Sequence, residues 1–261
     1  MQIITLTTDL GLRDYYLASV KGFIYSELND VSIVDISHDI TKFSVQEAAF
    51  LLKNCYADFP EGTIHIVGVQ TAYGNSNRHL LVERDGHYFL GSDNGLFSIM
   101  FEDNNFKARS LDIPPDITDL TFPTKSLYVK SAIFLTKGGE PGVLGCEYKE
   151  ISKALTLQPI AQENNIRGMV SYIDSYGNLI TNITQQLYNR TSRNRNGKVE
   201  FRDSSFNINR ISRYYTDVPT GEAAAIFNSA GLLEVSINAG NASKLMGMKV
   251  NDPVTVTFEN K

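Results

Sequence analysis

The sequence predicts an α/β N-terminal domain built on a mainly parallel sheet, followed by a smaller C-terminal β-barrel domain. Three observations carry that expectation. Apolar β-branched runs alternate with helical patterns through the first 70 residues, as in a parallel sheet with helices on its faces. Between Gly138 and Asn165 the pattern weakens. From Arg167 onward short strands are separated by turns, which suits a sheet closing on itself. The expected limits are residues 1–150 for the α/β domain, 151–166 for a linker and 167–261 for the barrel.

In chain order, Ile3 to Thr7 reads as a buried strand that stops at Thr8-Asp9-Leu10-Gly11. Tyr15 to Leu28 follows as a helix, with Leu17, Val20, Ile24 and Leu28 on one face. Val31 to Ile36 is a second strand, running into Ser37-His38-Asp39. Ser44 and Glu47 have the spacing of a capping box for a helix through Leu52. Thr63 to Val69 is the third strand, and Gly74, Asn75 and Asn77 mark the loop behind it. Asp85-Gly86 between Leu80–Arg84 and His87–Gly91 is a strong hairpin signal. Pro114 and Pro115 break the pattern before a helix expected from Lys125 or Ser126 to Lys137. The barrel strands are expected at 168–173, 179–183, 198–201, 223–228, 232–236 and 253–258, with a short helix over 239–245.

Composition narrows the function classes. Hydrophobic residues at 42% and charged residues at 20% fit a globular protein, and no apolar run reaches the roughly 20 residues that span a bilayer. The chain enters a strand at once, without a signal-peptide pattern, so the cytoplasm is the expected location. A net charge of −5 argues against a broad nucleic-acid surface. The basic run Asn189 to Lys198 lacks interleaved aromatics and reads as a solvated loop. Cys55 and Cys146 are too few for a disulfide framework or a zinc site and read as core or sub-surface thiols.

There is no glycine-rich dinucleotide loop, no phosphate-binding loop and no His pair at metal spacing. Of the four histidines, His65 and His87 read as structural and His79 as a surface residue. His38 shares a strand rim with Asp9, where open α/β sheets bind ligands; the alternative readings are a satisfied rim hydrogen bond for His38, which is favoured, and a helix cap or turn for Asp9.

The ordered set of polar loops says more than any one of them. The N-terminal half carries Thr8-Asp9-Leu10-Gly11, Asp35-Ile36-Ser37-His38, Asp93-Asn94-Gly95 and Thr121-Phe122-Pro123-Thr124. The C-terminal half carries Asp174-Ser175-Tyr176-Gly177-Asn178, Tyr215-Thr216-Asp217-Val218 and Asn228-Ser229-Ala230-Gly231. Over nearly the whole chain this resembles the S-adenosylmethionine hydroxide adenosyltransferases and their halogenating relatives, the fluorinases and chlorinases. The resemblance implies a homotrimer with intersubunit sites, S-adenosylmethionine as substrate or ligand, and no cofactor or metal.

Carried over residue by residue, the resemblance gives Asp9 the ribose hydroxyls and places Asp14 and Asp174 near the methionine ammonium. Asn178 matches the amide at the adenine edge, and Tyr176 and Tyr215 match the aromatics that sandwich adenine. Ser229 and the backbone at Ala239 match further ligand contacts, and Phe43 an aromatic beside the ligand. The hydrolytic members activate water with an Asp, an Arg and a His; the corresponding positions here are Gln70, Asn77 and Pro123. None of these three titrates near neutral pH. Thr124 falls on the halide-binding Ser of the fluorinase, while Tyr73 replaces a smaller residue there. Three readings therefore stay open: an enzyme attacking the 5′ carbon with water or halide, a binding module without turnover, and a ligand-free scaffold.

Overall fold

The computed structural model describes residues 2–74, 77–112 and 120–258, and the chain divides into two units at Thr156/Leu157. Asn75, Pro114, Pro115 and Asp119 lie outside the described residues.

The N-terminal unit contains β1 (Gln2–Thr8), α1 (Tyr16–Glu27), β2 (Val31–Ser37), α2 (Val45–Lys53), β3 (Ile64–Gly68), β4 (His79–Arg84), β5 (His87–Ser92), α3 (Leu96–Met100), β6 (Lys107–Ser110) and α4 (Lys130–Thr136). A π-helical turn, Thr124–Val129, leads into α4. The sheet order is β2-β1-β3-β5-β4-β6. The first four strands are mutually parallel, and the last two add an antiparallel edge. Strand alternation divides the apolar residues between two layers. Ile4, Leu6, Ile64 and Ile66 pack with α1 and α4 through Val20, Ile24 and Ala132. Val67, Val69 and Phe89 pack with α2 and α3 through Ala48, Leu52 and Phe97. Burial on both faces explains why β1 and β3 read as largely apolar runs, whereas the edge strand β2 is only partly buried.

The hairpin between β4 and β5 turns on Asp85 and Gly86, both at positive φ (50° and 77°), as a two-residue primed turn requires. The capping box is only half formed. Ser44 accepts from the Glu47 N–H at 3.3 Å, but the Glu47 carboxylate reaches the Thr41 N–H at 3.1 Å. The Ser44 N–H is already bonded to the Thr41 carbonyl, which leaves Glu47 no return partner.

The C-terminal unit contains β7 (Ile160–Ala161), β8 (Asn165–Ile173), β9 (Leu179–Thr184), α5 (Gln185–Ser192), β10 (Gly197–Glu200), β11 (Ala223–Phe227), β12 (Leu232–Ile237), α6 (Ala242–Met246) and β13 (Pro253–Phe258). The strands run β10-β13-β8-β9-β12-β11, with β7 beside β8, and every pairing between them is antiparallel. The segment around Ile208 and Ile211 bridges β10 to β11 through Val199 and Ala225, which makes the sheet nearly a closed barrel. Ile166, Val170, Leu179, Val199, Leu233, Val235 and Val256 fill it.

Several sequence readings are corrected. α3 and β6 were not expected. The first half of the basic run, Asn189 to Ser192, is the end of α5, and Arg195 is bonded to the Ser192 and Thr191 carbonyls rather than solvated. The last helix starts at Ala242 rather than at residue 239, because Asn241 caps it. Cys146 is exposed. Among the described residues no helix is long and apolar enough to cross a membrane.

Candidate functional site

The carboxyl ends of β1, β2, β3 and β5 form the rim of the parallel sheet. Asp9 follows β1 and is buried, at 9% exposure. Its Oδ2 accepts the Phe43 N–H at 2.8 Å, and Lys42 donates to its carbonyl. Phe43 itself holds left-handed backbone, φ 66°, in the turn closed by the Ser44 N–H on the Thr41 carbonyl, with its ring exposed. Leu12 and Tyr15 are exposed nearby in the chain, so a buried carboxylate is flanked in sequence by uncovered apolar side chains.

His38 holds the other side of the Asp9 loop. Its carbonyl accepts the Gly11 N–H and its Nδ1 lies 2.8 Å from Thr8 Oγ1. Asp35 stands 3.0 Å behind Nε2 and bonds Lys21 at 2.6 Å. Burial raises the Asp35 carboxyl, but Lys21 and His38 outweigh it and hold the group below the usual carboxylate range.

At the end of β3, Gly68 makes room for Thr124. A Cβ there would stand 2.9 Å from both Oγ1 and Cγ2 of Thr124. Thr124 is buried, and its hydroxyl lies 3.5 Å from that of Thr71. Gln70 is exposed with φ 50°. Asn77 commits its amide N–H to the Ala72 carbonyl at 2.8 Å, and Pro123 is buried at the head of the π-helical turn. Tyr73 packs edge-on against His79, at 4.8 Å between centroids. Asp14 is exposed just before α1.

His79 is not a surface residue. It is 6% exposed, with Nδ1 2.6 Å from the Tyr128 hydroxyl, which lies 2.9 Å from Ser92 Oγ. Burial pushes its imidazole down to about 4, so it stays neutral at pH 7.

In the barrel unit, the 174–178 turn is organised by its own acid. Asp174 Oδ1 accepts the N–H groups of Tyr176 and Asn178 at 3.0 and 2.8 Å, and Oδ2 accepts the Asn178 amide at 3.0 Å. Gly177, at φ 86°, lies so close to Asn241 that a Cβ would overlap that side chain. Asn178 is buried while Tyr176 is 76% exposed. Tyr215 opens a short turn held by Asp217, whose carboxylate accepts the Arg213 and Tyr214 N–H groups. Its hydroxyl donates to Glu234 at 2.8 Å; burial and the neighbouring carboxylate push the phenol up to about 12. Ser229 is exposed, and Ala239 is exposed at φ 57°.

The structure thus joins Asp9 to Phe43 in one unit, and Asp174 to Tyr176 and Asn178 in the other. Three of the residues picked out in the sequence, Phe43, Gln70 and Ala239, hold left-handed backbone, as do Asp85, Asn104, Arg193, Asn194 and Asn251 elsewhere among the described residues. Sequence reasoning missed Glu234 and the Tyr128–Ser92 support of His79. Their signal was slight: a lone acid in an apolar strand, and a Tyr one helical turn beyond Thr124. Among the described residues no group of three His, Cys, Asp or Glu side chains is placed to hold a metal.

A parallel-sheet unit with a buried acid on its strand rim, followed by an antiparallel barrel with aromatic loops, defines a two-domain class of α/β-plus-barrel protein. The chain belongs to the SAM hydroxide adenosyltransferase family: the family's N-terminal domain matches residues 4–145 and its C-terminal domain residues 168–255. It is 28% identical to the (R)-S-adenosyl-L-methionine hydrolase of Methanocaldococcus jannaschii, over 99% of this chain and 97% of that one. It is 24% identical to the fluorinase of Actinopolyspora mzabensis, over 98% and 97%. An uncharacterized conserved protein from Thermotoga maritima superposes with a TM-score of 0.88 at 25% identity, covering 98% of this chain and all of that one.

Proposed function

We propose that this protein binds S-adenosylmethionine and cleaves it at the 5′ carbon, giving adenosine and L-methionine. The observation that carries the proposal is the end-to-end match to both hydrolases and a fluorinase, whose domain order this chain keeps. The chemistry makes modest demands. The water oxygen bonds to the 5′ carbon as the carbon–sulfur bond breaks. The sulfonium leaves as the neutral thioether of methionine and the water's proton is released to solvent, so the protein supplies in-line alignment and a nucleophile stripped of solvent.

In this reading Asp9 receives the ribose hydroxyls. Its carboxylate suits the task because one backbone N–H fixes it and lone pairs remain. Asn178 reads the adenine edge with the amide atoms that Asp174 leaves free. Tyr176 and Tyr215 stack on the base, Ser229 and the Ala239 backbone meet the rest of the ligand, and Phe43 lies beside it. Asp14 and Asp174 face the ammonium group. Thr124, whose close approach to β3 the missing side chain of Gly68 permits, receives the nucleophile. The homotrimer is part of the same proposal, and light scattering tests it.

A second reading, binding without turnover, draws support from Gln70, Asn77 and Pro123. Two of these are amides, one of them tied to Ala72, and the third is a proline. The decisive assay incubates the protein with S-adenosylmethionine in water alone, then with chloride or fluoride, and separates the products by chromatography. Adenosine with methionine supports cleavage by water, and a 5′-halogenated adenosine supports halide attack. Calorimetric binding without product selects the binding module, and no heat with either S-adenosylmethionine or adenosine rejects both readings.

A further inference from the structure

We propose that Glu234 is a positioning residue of the barrel unit, a single buried carboxylate that sets Tyr215 and the 228–232 turn relative to each other. The assignment rests on the nucleoside-binding reading above and extends it to a residue that does not touch the ligand.

Glu234 lies in the middle of β12, at 3% exposure. Its neighbours Leu233 and Val235 belong to the barrel core, so strand alternation turns Glu234 to the opposite face. A carboxylate buried there is costly unless its oxygens find donors. Both do: Oε1 accepts the Tyr215 hydroxyl at 2.8 Å, and Oε2 accepts the Asn228 amide at 3.1 Å.

The donor inventory makes this arrangement directional. A carboxylate can only accept, so Tyr215 has to donate and Asn228 has to turn its NH₂ toward Glu234. The Asn228 oxygen then faces the backbone and accepts the N–H groups of Ala230 and Leu232, each at 3.1 Å. Rotating the amide would break three bonds together. One acid therefore fixes the half-exposed ring of Tyr215 and the turn that carries Ser229. Glutamine has nearly the same size but only one acceptor oxygen. It would point an NH₂ at one of two donors, so size does not explain the acid.

The test is a double-mutant cycle on adenosine affinity, read by calorimetry, with Glu234→Gln, Tyr215→Phe and the double variant. Thermal melts establish that each variant is folded. Each single change should raise Kd about tenfold, the scale of one hydrogen bond to a charged group. The double variant should be little worse than either alone, because both remove the same contact. Infrared difference spectra without ligand give an independent reading. The carboxylate band lost in Glu234→Gln should shift in Tyr215→Phe. Multiplying losses, or an unmoved band, would overturn the assignment. Asp9→Ala separates the two levels of failure. If Asp9→Ala weakens adenosine binding and Glu234→Gln does not, Glu234 loses its role and the binding reading stands. If the wild-type protein binds neither adenosine nor S-adenosylmethionine, the binding reading fails and this assignment falls with it.

Discussion

Asp9 and Asp174 are the same residue type in two different uses. In the N-terminal unit Asp9 is buried but lightly occupied: among the described residues a single backbone N–H, that of Phe43, holds one carboxylate oxygen. In the barrel unit Asp174 accepts three hydrogen bonds from its own turn. The first carboxylate keeps its capacity for something outside the chain, whereas the second spends most of its own on holding Tyr176 and Asn178 in place. One unit offers an acceptor and the other offers a shaped loop.

The largest expected effect breaks that contrast if it fails. Asp9→Ala should weaken adenosine binding about 100-fold, or ~3 kcal/mol, with little change in the urea midpoint. Asp174→Ala should do the reverse, costing about 1–2 kcal/mol of stability and less in adenosine affinity. Calorimetry beside urea titration checks both. Equal affinity losses would mean that the two acids share one job.

Acid should separate the units next. All four histidines lie in the N-terminal unit. Burial, helped by His87, pushes His65 down to about 3, and burial alone pushes His79 down to about 4. Unfolded imidazoles titrate near 6.5, so below that pH the unfolded chain binds more protons than the folded one. Their contribution is complete above about pH 6.5 and is lost as pH falls toward 4 and then 3. Hydrogen exchange at pH 7.5 and pH 5 should therefore show protection falling in the N-terminal unit more than in the barrel. Equal losses would contradict it.

The smallest effect is conformational. Ala239 holds φ 57° without a side-chain reason, so Ala239→Gly should raise stability by about 0.5 kcal/mol. A small rise in the urea midpoint checks this, and a fall would show that the methyl group is used.

What was legible in the sequence was mostly local. The β4–β5 hairpin could be read because its turn needs two positive φ angles and Asp-Gly supplies them. Strands β1 and β3 could be read because burial on both faces demands apolar runs. β6 could not, since Lys107-Ala108-Arg109-Ser110 has one buried residue and owes its existence to pairing with β4. α5 was hidden by its polar composition; Thr184 caps it, and Leu187 and Tyr188 pack against the barrel core. Within the candidate site, Asp9 was legible because an acid at a strand end is a positional signal. Glu234 was not, because an acid alternating with apolar residues reads as solvent-facing until Tyr215 and Asn228 are seen to meet it. His79 misled for a related reason: its burial depends on Tyr128, which is 49 residues away in the chain.

One feature of the sheet also bears on assembly. Among the described residues of the N-terminal unit β2 is paired on one side only, whereas the far side of β6 is occupied by backbone bonds to Cys146 and Tyr148. A lone free edge joined to its own copy obeys two-fold symmetry, because the same surface is used on both partners. Continuing the sheet through β2 would therefore close a pair and stop there. Three-fold symmetry needs two dissimilar surfaces that complement each other, so in a homotrimer the β2 edge would have to meet a different surface of its neighbour or stay out of the contact.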